Sequence, residues 1–369
     1  MRVGYDEQVF LAQRRGGISR YVVSLVEAFR AAPELGIDAV PGWRWSDNEH
    51  STAAGLSRRL PLPQRDGLLT VAGQGAYFLA NTGRRRRARQ ADILHHTYFH
   101  PRFLSSRSAA KQVTTVHDMI PELYPETFDG RNPHLAKREY VQRSDLVLCV
   151  SQSAKEDLLA VYGDLGVPIR VIHHGVGSGF SPHLGPPADP PGRYLLFVGK
   201  RSGYKDFGVL LEAFADLGDP TLTLIAAGGD SFTAEENRQI SAAHLQGRVQ
   251  QRPASDEELR RLYAHAELFV FPSRHEGFGL PTLEAMASGT PVLLANSSSH
   301  PEAGGDVAVY FPPGDPAALS TAMASLLQDP ARRAALGTAG VARAAGFTWD
   351  AAARATAAAY RSILDSPGL

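Results

Sequence analysis

The feature that most constrains the fold is a stretch rich in proline and glycine, residues 177–192, which separates two similar halves of the chain. Proline lacks a backbone N–H and glycine weakens regular elements, so the stretch predicts a linker. On each side of it, short β-rich runs alternate with helical runs, which indicates parallel sheets covered by helices. The sequence therefore predicts an α/β protein with two doubly wound, Rossmann-like domains. Ligands in such sheets bind at the carboxyl ends of the strands, here in a cleft between the domains.

The predicted elements follow this alternation. Strands are expected near residues 2–5, 38–42, 92–96, 112–117, 146–150 and 169–173 in the first half, and near 194–199, 221–227, 248–251, 268–271 and 291–295 in the second. The clearest predicted helices are 18–31, 206–217, 233–243, 256–264 and 281–288, and the alanine-rich tail, 316–364, predicts two or three more. The predicted domains are residues 1–178 and 193–347, with a linker at 179–192.

Composition excludes several classes of function. The chain has 38 Lys+Arg and 38 Asp+Glu, so no global charge would recruit nucleic acid. Its single cysteine, Cys149, cannot form an intrachain disulfide and lies in an apolar run typical of a buried strand in a reducing compartment. No apolar stretch is long enough to span a bilayer, and the N-terminus leads directly into a strand. We therefore expect a cytoplasmic protein.

The most informative candidate site is the segment Glu276-Gly-Phe-Gly-Leu-Pro-Thr-Leu-Glu284. Gly277 and Gly279 allow backbone to approach a ligand, and Pro281 suits the first turn of a helix that carries Glu284. The free amides at that helix start can hold an anion. A single glutamate here would usually be a solvated side chain, but two carboxylates beside an anion cradle suit a ligand with hydroxyls and phosphate, such as a nucleotide sugar.

A cationic cluster follows the predicted strand 194–199. Arg201 can grip phosphate oxygens with two hydrogen bonds, and Lys205 supplies a point charge. The alternative is a solvated loop with ordinary surface cations.

Two further groups point to the first domain's side of the cleft. Gly16 and Gly17 open a helix after the first strand, where their amides can approach a phosphate or sugar, although the Gly-x-Gly-x-x-Gly spacing of dinucleotide sites is absent. His117 and Asp118 end a strand, so His117 can contact a sugar hydroxyl near the reacting carbon. An isolated strand-end histidine is otherwise structural.

Two clusters have weaker interpretations. No Glu or Cys near His95, His96 and His100 completes the spacing of a metal site, so we predict no metal. His95 and His96 are adjacent on a strand and face opposite sides of the sheet, so one of them, with His96 favoured, would contact the acceptor from the cleft. The arginines Arg84, Arg85, Arg86, Arg87 and Arg89 predict either a solvated helix end or contact with anionic lipid at the inner face of a membrane.

Taken together, these motifs resemble those of the retaining glycosyltransferases of family 4, which have the GT-B fold. The resemblance covers nearly the whole chain. Besides the segments above, it includes Ser151-Gln-Ser153, Val171-Ile-His-His-Gly-Val176, Phe271-Pro-Ser273 and Gly289-Thr-Pro-Val292. The stretches Gly16-Gly-Ile-Ser-Arg-Tyr21 and Arg201-Ser-Gly-Tyr-Lys-Asp206 are also similar to mannosyltransferases of surface-polysaccharide assembly. In one departure, His174 stands where the family often has asparagine, which puts a donor or hinge role there in doubt.

The resemblance implies a role for each matching residue. Glu284 would bind the ribose and Glu276 the transferred sugar, while His117 would contact that sugar near its reacting face. Amides would hold the sugar and diphosphate, and Arg201 with Lys205 would neutralise the leaving diphosphate; Lys200 is the alternative to Arg201. The remaining implied donor contacts are Gly16, Gly17, Arg252, Ser255, Gly277, Phe278, Gly279 and Leu280. Asp118 and His96 would face the acceptor, and the terminal helix, within 348–369, would return to the first domain.

The resulting expectation is a retaining, metal-independent hexosyltransferase without a cofactor. It would move mannose from GDP-mannose, with a UDP-sugar as the alternative donor, to a glycan or lipid-linked acceptor. Because no carboxylate is placed as a covalent nucleophile, transfer on one face of the sugar is favoured. A nucleotide-sugar epimerase, a sugar phosphorylase and a non-catalytic sugar-nucleotide-binding partner remain alternatives.

Overall fold

A computed structural model describes residues 1–61, 71–104, 110–128, 132–189, 192–201 and 203–365. The first sheet contains β1 (Arg2–Tyr5), β2 (Asp38–Pro41), β3 (Ile93–His96), β4 (Lys111–Val116), β5 (Leu146–Cys149) and β6 (Ile169–Val171). The second contains β7 (Arg193–Val198), β8 (Leu222–Ala227), β9 (Val249–Arg252), β10 (Leu268–Phe271), β11 (Val292–Ala295) and β12 (Val309–Phe311). The short edge strand β12 is the element that the strand predictions missed.

Helices cover the two sheets. Those of the first half are α1 (Gln8–Ala12), α2 (Gly17–Ala31), α3 (Glu49–Ala53), α4 (Val71–Ala80), α5 (Thr82–Arg89), α6 (Ile120–Leu123), α7 (Lys137–Gln142) and α8 (Gln152–Tyr162). Those of the second half are α9 (Phe207–Asp216), α10 (Ala234–Ala242), α11 (Asp256–His265), α12 (Leu280–Ala287), α13 (His300–Gly304), α14 (Pro316–Gln328), α15 (Pro330–Ala344) and α16 (Trp349–Leu364). The prediction of two doubly wound α/β domains is confirmed.

The strands are parallel, and central ones such as β5 and β10 are buried on both faces, so these two are continuous apolar runs rather than alternating ones. All four residues of β5 and of β10 are buried, as helices on both faces of a parallel sheet require. The same pattern made these strands recognisable in the sequence.

Strand order determines where the site forms. In the first sheet the order is β2-β1-β3-β4-β5-β6, and in the second it is β12-β11-β10-β7-β8-β9. The chain therefore reverses direction across the sheet between β1 and β3, and again between β7 and β10. Ligands in open α/β sheets bind at such switch points, outside the carboxyl ends of the strands. The loops after β1, β7 and β10 lie there, and they carry the residues 13–17, 199–205 and 272–279.

The terminal helix α16 packs on α2 of the first domain. The Tyr360 hydroxyl lies 3.0 Å from that of Tyr5 and 2.6 Å from Nδ1 of His95. The Nε2 of His95 lies 2.7 Å from Oγ1 of Thr115. His95 is thus a satisfied core residue that fastens the returning helix to the first sheet. No helix among the described residues combines the length and apolar character needed to cross a bilayer.

Candidate active site in the interdomain cleft

A cavity of about 560 Å³ lies between the two domains. The first domain contributes one wall, lined by Arg15, Gly16, Gly17, Arg20 and His50. The second contributes the other, which includes Gly199, Lys200, Gly228, Gly229, Pro253, Ala254, Leu280, Pro281 and Glu284. Its walls come from both switch points, so the cavity exists only when the domains are together.

The start of α12 forms one end of this cavity. Gly279 precedes the helix with a φ of 85°, a left-handed conformation that favours glycine, and Pro281 occupies the second helical position rather than the first. Within the described ranges, the backbone N–H groups of Phe278, Gly279 and Leu280 donate to no protein acceptor. Unpaired amides at a helix start bind anions, so this end of the cavity can hold phosphate.

Glu284 lies one turn into α12 and is only 3 % exposed. Its Oε1 is paired with Nη1 of Arg20 across the cleft, and its Oε2 accepts a hydrogen bond of 3.1 Å from the Tyr263 hydroxyl. The carboxylate raises the pKa of the Arg20 guanidinium. This is a buried, oriented carboxylate at the cavity wall, suited to accepting hydrogen bonds from ligand hydroxyls.

Glu276 and Lys205 form a second charged pair, which is not part of the lining of the cavity. Lys205 Nζ lies 2.5 Å from Glu276 Oε1, and both side chains are largely buried. The Glu276 loop is held by the hydroxyls of Ser298 and Ser299, which donate to its carbonyl at 2.7 and 2.9 Å. A carboxylate and an ammonium group therefore lie within hydrogen-bonding distance of each other. Together they suit a ligand that carries both hydroxyl and phosphate groups.

His117 and Asp118 face this region from the end of β4. Burial lowers the pKa of His117 to about 4, so its ring is neutral at pH 7. The ring packs edge-on against Tyr21 at 4.9 Å, and among described residues it accepts or donates no hydrogen bond. Asp118 Oδ1 accepts from the Ile120 amide at 3.0 Å. His117 is thus free to bond a ligand hydroxyl.

The Arg201 guanidinium is bonded within its own domain. Its Nε is 2.7 Å from Glu236 Oε1, and its other nitrogens donate to the carbonyls of Gly228, Asp230 and Ser231. With a side chain 4 % exposed, it fastens the loop after β8 and does not line the cavity, whereas Lys200 does. The contact of Arg201 with the diphosphate stays a prediction, and it would require some of these bonds within the domain to break.

Arg252, Ser255 and His96 are likewise not among the residues that line this cavity. Arg252 donates to the Asp189 carbonyl at 2.6 Å, and Ser255 caps α11 by accepting from Glu258 N at 3.2 Å. Pro253 and Ala254, between them, do line the cavity. The nitrogens of His96 are held by Asp6 at 2.8 Å and Gln112 at 2.7 Å. An acceptor contact by His96 would have to break one of these bonds.

Sequence reasoning missed Arg20, which the structure places on Glu284. Arg20 is three residues after Gly17 on α2, and positions three apart share a helix face. That spacing could have revealed it, since Gly17 was already assigned to the cleft. Arg15 pairs with Asp256 across the same cleft, but no sequence signal joins residues so far apart.

Further contacts hold the two domains together beside the cavity. The Glu302 carboxylate accepts the Gln152 and Ser153 amides, at the start of α8, at 2.7 Å each. Burial raises the pKa of Glu302, but these bonds and one from His173 outweigh it and lower the pKa overall. Ser151 Oγ donates to the Gly277 carbonyl at 2.6 Å. The interface is thus built from polar contacts that require closely matched positions.

His174 lies at the hinge in a cage of rings. It stacks on Trp349 with centroids 5.8 Å apart and lies 4.9 Å from Tyr21 and 5.5 Å from Phe278. Both ring nitrogens are buried without a hydrogen bond, and burial lowers its pKa well below the usual value. The side chain is therefore neutral and acts here as a packing group.

Comparison with known proteins agrees with this fold. The family described as Glycosyltransferase Family 4 matches residues 15–178, and Glycosyl transferases group 1 matches residues 186–343. The O-antigen chain mannosyltransferase B of Escherichia coli is 28 % identical over 376 residues, covering 94 % of this chain and 96 % of that protein.

Solved structures share the fold. A sucrose-phosphate synthase from Thermosynechococcus elongatus superimposes with a TM-score of 0.72 at 24 % identity, covering 98 % of this chain and 95 % of that one. HepE of Anabaena, solved with UDP and glucose, gives 0.74 at 19 % identity, covering 98 % and 100 %. At these identities the likeness shows the fold alone. The two family matches, the mannosyltransferase relative and the fold together place the chain among the family 4-like glycosyltransferases of the GT-B fold, which transfer a sugar from a nucleotide-sugar donor.

Proposed function

We propose that the protein is a retaining, metal-independent hexosyltransferase that moves mannose from GDP-mannose to a hydroxyl of a glycan or lipid-linked acceptor. The observation that carries the proposal is that Glu284 and the start of α12 line one interdomain cavity, with the Glu276–Lys205 pair at the loop that leads into α12. The O-antigen mannosyltransferase relative supports mannose. A UDP-sugar is the alternative donor, as HepE was solved with UDP and glucose.

The donor would be bound mainly by the second domain. Glu284 would accept from the ribose hydroxyls, exchanging its bond to Arg20 for them. The diphosphate would lie on the amides of residues 278–280, with Lys205 and Lys200 as its cations. Glu276 would then turn from Lys205 to hydroxyls of the sugar. Charged hydrogen bonds to phosphate are the strong ones, so this placement accounts for two cations at one end of the cleft.

The chemical step would break the bond between the anomeric carbon and the diphosphate oxygen. The acceptor oxygen would bond to the same carbon from the same face, and its proton would pass to a phosphate oxygen of the leaving group. Lys205 and the α12 dipole would stabilise the charge on that group. His117, neutral and without a hydrogen-bonding partner in the described protein, would bond a sugar hydroxyl near the reacting carbon.

Thermal unfolding in the presence of GDP, UDP, ADP and their sugars tests the donor. A ligand at a hundredfold excess over its Kd stabilises by about 2.7 kcal/mol, so we expect the largest rise in Tm with GDP-mannose. A rise confined to UDP compounds would overturn mannose transfer. NMR of the product's anomeric proton would then show retention, and an inverted product would refute the proposed step.

Lys205→Ala tests the phosphate assignment. Removing one partner of a buried charged contact costs about 2–5 kcal/mol, so we expect turnover to fall by at least about thirtyfold. Arg238→Ala, which removes a cation from an exposed pair on α10, is the control and should keep normal turnover. Wild-type turnover in Lys205→Ala would show that Lys205 does not bind the leaving group.

Product analysis separates the alternative reactions. An epimerase would convert the donor in the absence of acceptor, and a phosphorylase would require inorganic phosphate. A non-catalytic binding partner would bind the donor in calorimetry and transfer it to no acceptor extract. Transfer that depends on an acceptor is the expected result.

A further inference from the structure

A second cationic cavity lies in the first domain, outside the cleft. Its volume is about 300 Å³, and four arginines line it together with Trp43 and Ser57. The arginines are Arg30, Arg44, Arg58 and Arg84. No acidic residue contributes to its lining in the part of the chain that the structure describes. We call this cavity the arginine pocket.

Within the described ranges, none of the four guanidinium groups makes an ion pair or a side-chain hydrogen bond. Arg44 contacts the Trp45 ring at 5.8 Å, and Arg30 acts on Glu27 of the same helix only at longer range. Gathering cations without counter-ions is unfavourable, so an anionic ligand would relieve the repulsion.

Buried polar contacts hold three of these arginines in place. Arg58 N donates to the Arg44 carbonyl at 2.9 Å, which sets the two residues side by side. The buried Asn81 accepts the Arg44 amide through Oδ1 at 2.9 Å, and it stands directly before α5, which carries Arg84. The fold therefore sets the backbone positions of these residues, while the side chains of Arg30, Arg44 and Arg58 are exposed and that of Arg84 is partly buried.

Helix α5 divides its arginines among different environments. Arg85 points inward, where its Nε lies 2.8 Å from Glu7 and its guanidinium lies over the Phe78 ring at 3.7 Å. Arg84 lines the arginine pocket, whereas Arg86 and Arg87 are exposed. Of these arginines, Arg84 can contact an anion in the arginine pocket, together with arginines from three other segments of the chain.

The arginine pocket also lies close to the donor cavity. Pro41, at the carboxyl end of β2, lines it, as do Gly55 and Arg58 just after α3. His50, within the five-residue helix α3, lines the donor cavity on the other side. The short helix α3 thus connects residues that line the two cavities.

We propose that the arginine pocket binds a phosphate or diphosphate group. Guanidinium groups bond phosphate oxygens in pairs, and four of them in about 300 Å³ suit a group of that size and charge. The phosphate could belong to a free phosphorylated molecule or to a lipid headgroup. The inference is independent of the sugar transfer proposed above, because binding is measured without turnover.

The test compares two variants with the same change in charge, Arg44→Gln/Arg84→Gln and Arg86→Gln/Arg87→Gln. Inorganic pyrophosphate is titrated by calorimetry and by tryptophan fluorescence, since Trp43 lines the pocket. Neither variant alters the donor cleft, so binding there contributes equally. We expect the first variant to bind at least about tenfold more weakly than wild type, and the second to match wild type.

Equal loss in both variants, or no loss in the first, would overturn the proposal. Circular dichroism and Tm establish that both variants are folded. A parallel arm sediments the proteins with phosphatidylcholine vesicles, with or without phosphatidylglycerol. Selective loss of sedimentation in the first variant supports the site with a lipid headgroup as the phosphate source. Unchanged sedimentation, with pyrophosphate binding lost, supports it with a free phosphorylated molecule.

Discussion

Gly277→Ala should separate donor binding from catalysis. Gly277 belongs to the second domain, but its Cα faces the carbonyl of His117 in the first. A Cβ built at position 277 would lie 1.8 Å from that oxygen, whereas real contacts are essentially never under 3.0 Å. The oxygen is backbone at the end of a buried strand, so it cannot move as a side-chain tip would. The domains themselves would have to separate.

The size of the effect follows from this distance. Relieving the contact requires a displacement of more than about 1 Å, and a misplacement of that size costs on the order of a hundredfold in rate. The same displacement would stretch the bond from Ser151 Oγ to the Gly277 carbonyl, 2.6 Å in the native protein. The residues that would hold the donor, Glu276 and Glu284, belong to the domain that carries the new methyl group. We therefore expect nucleotide affinity to change little while turnover falls.

The assay measures nucleoside diphosphate binding by calorimetry and sugar transfer under saturating donor. Gly83→Ala is the control, because a Cβ there meets nothing within 4 Å. A crystal structure of the variant should show the two domains farther apart at this contact. Wild-type turnover in Gly277→Ala, or an unchanged interdomain contact, would refute the inference that the closed arrangement is the active one.

Two other predictions concern stability. Glu302→Gln replaces a carboxylate that accepts hydrogen bonds from two amides with a group that has one acceptor oxygen. We therefore expect domain association to weaken by about 1–3 kcal/mol, measured as a lower Tm and faster proteolysis of the linker. Glu257→Gln, on the surface, is the control, and equal behaviour of the two variants would contradict the prediction. Burial lowers the pKa of His95 to about 3, of His117 to about 4 and of His134 to about 3. As the pH falls, the unfolded chain protonates these histidines first, because their pKa is about 6.5 when unfolded. Their contribution to the free energy of unfolding is therefore fully present above about pH 6.5 and falls as the pH drops below it. The loss for the three histidines is roughly 4 kcal/mol at about pH 5.5. Urea unfolding with the same midpoint at about pH 7.5 and about pH 5.5 would contradict this.

Local signals were sufficient for the architecture. The apolar runs at β5 and β10 were readable because strands buried on both faces must be apolar throughout. The proline-rich linker divided the chain, and Gly277, Gly279 and Pro281 marked a loop that opens a helix. Such features depend on neighbours in the sequence. Edge strand β12, with only partly buried residues, left no comparable signal.

Side-chain partners were decided by the tertiary structure. Arg201 and Lys205 are four residues apart in one loop, yet Arg201 forms an ion pair with Glu236 on α10, whereas Lys205 forms one with Glu276 after β10. Likewise, Arg84 and Arg85 are adjacent on one helix and point to different environments.

The sequence by itself determined two doubly wound domains, because hydrophobic pattern and turn residues act over short stretches of chain. Only the tertiary structure decided which cations pair with Glu276 and Glu284, and that Arg20 and Glu302 join the domains. A long side chain can reach several elements, and the partner it binds is set by which elements the fold brings within about one hydrogen bond of it.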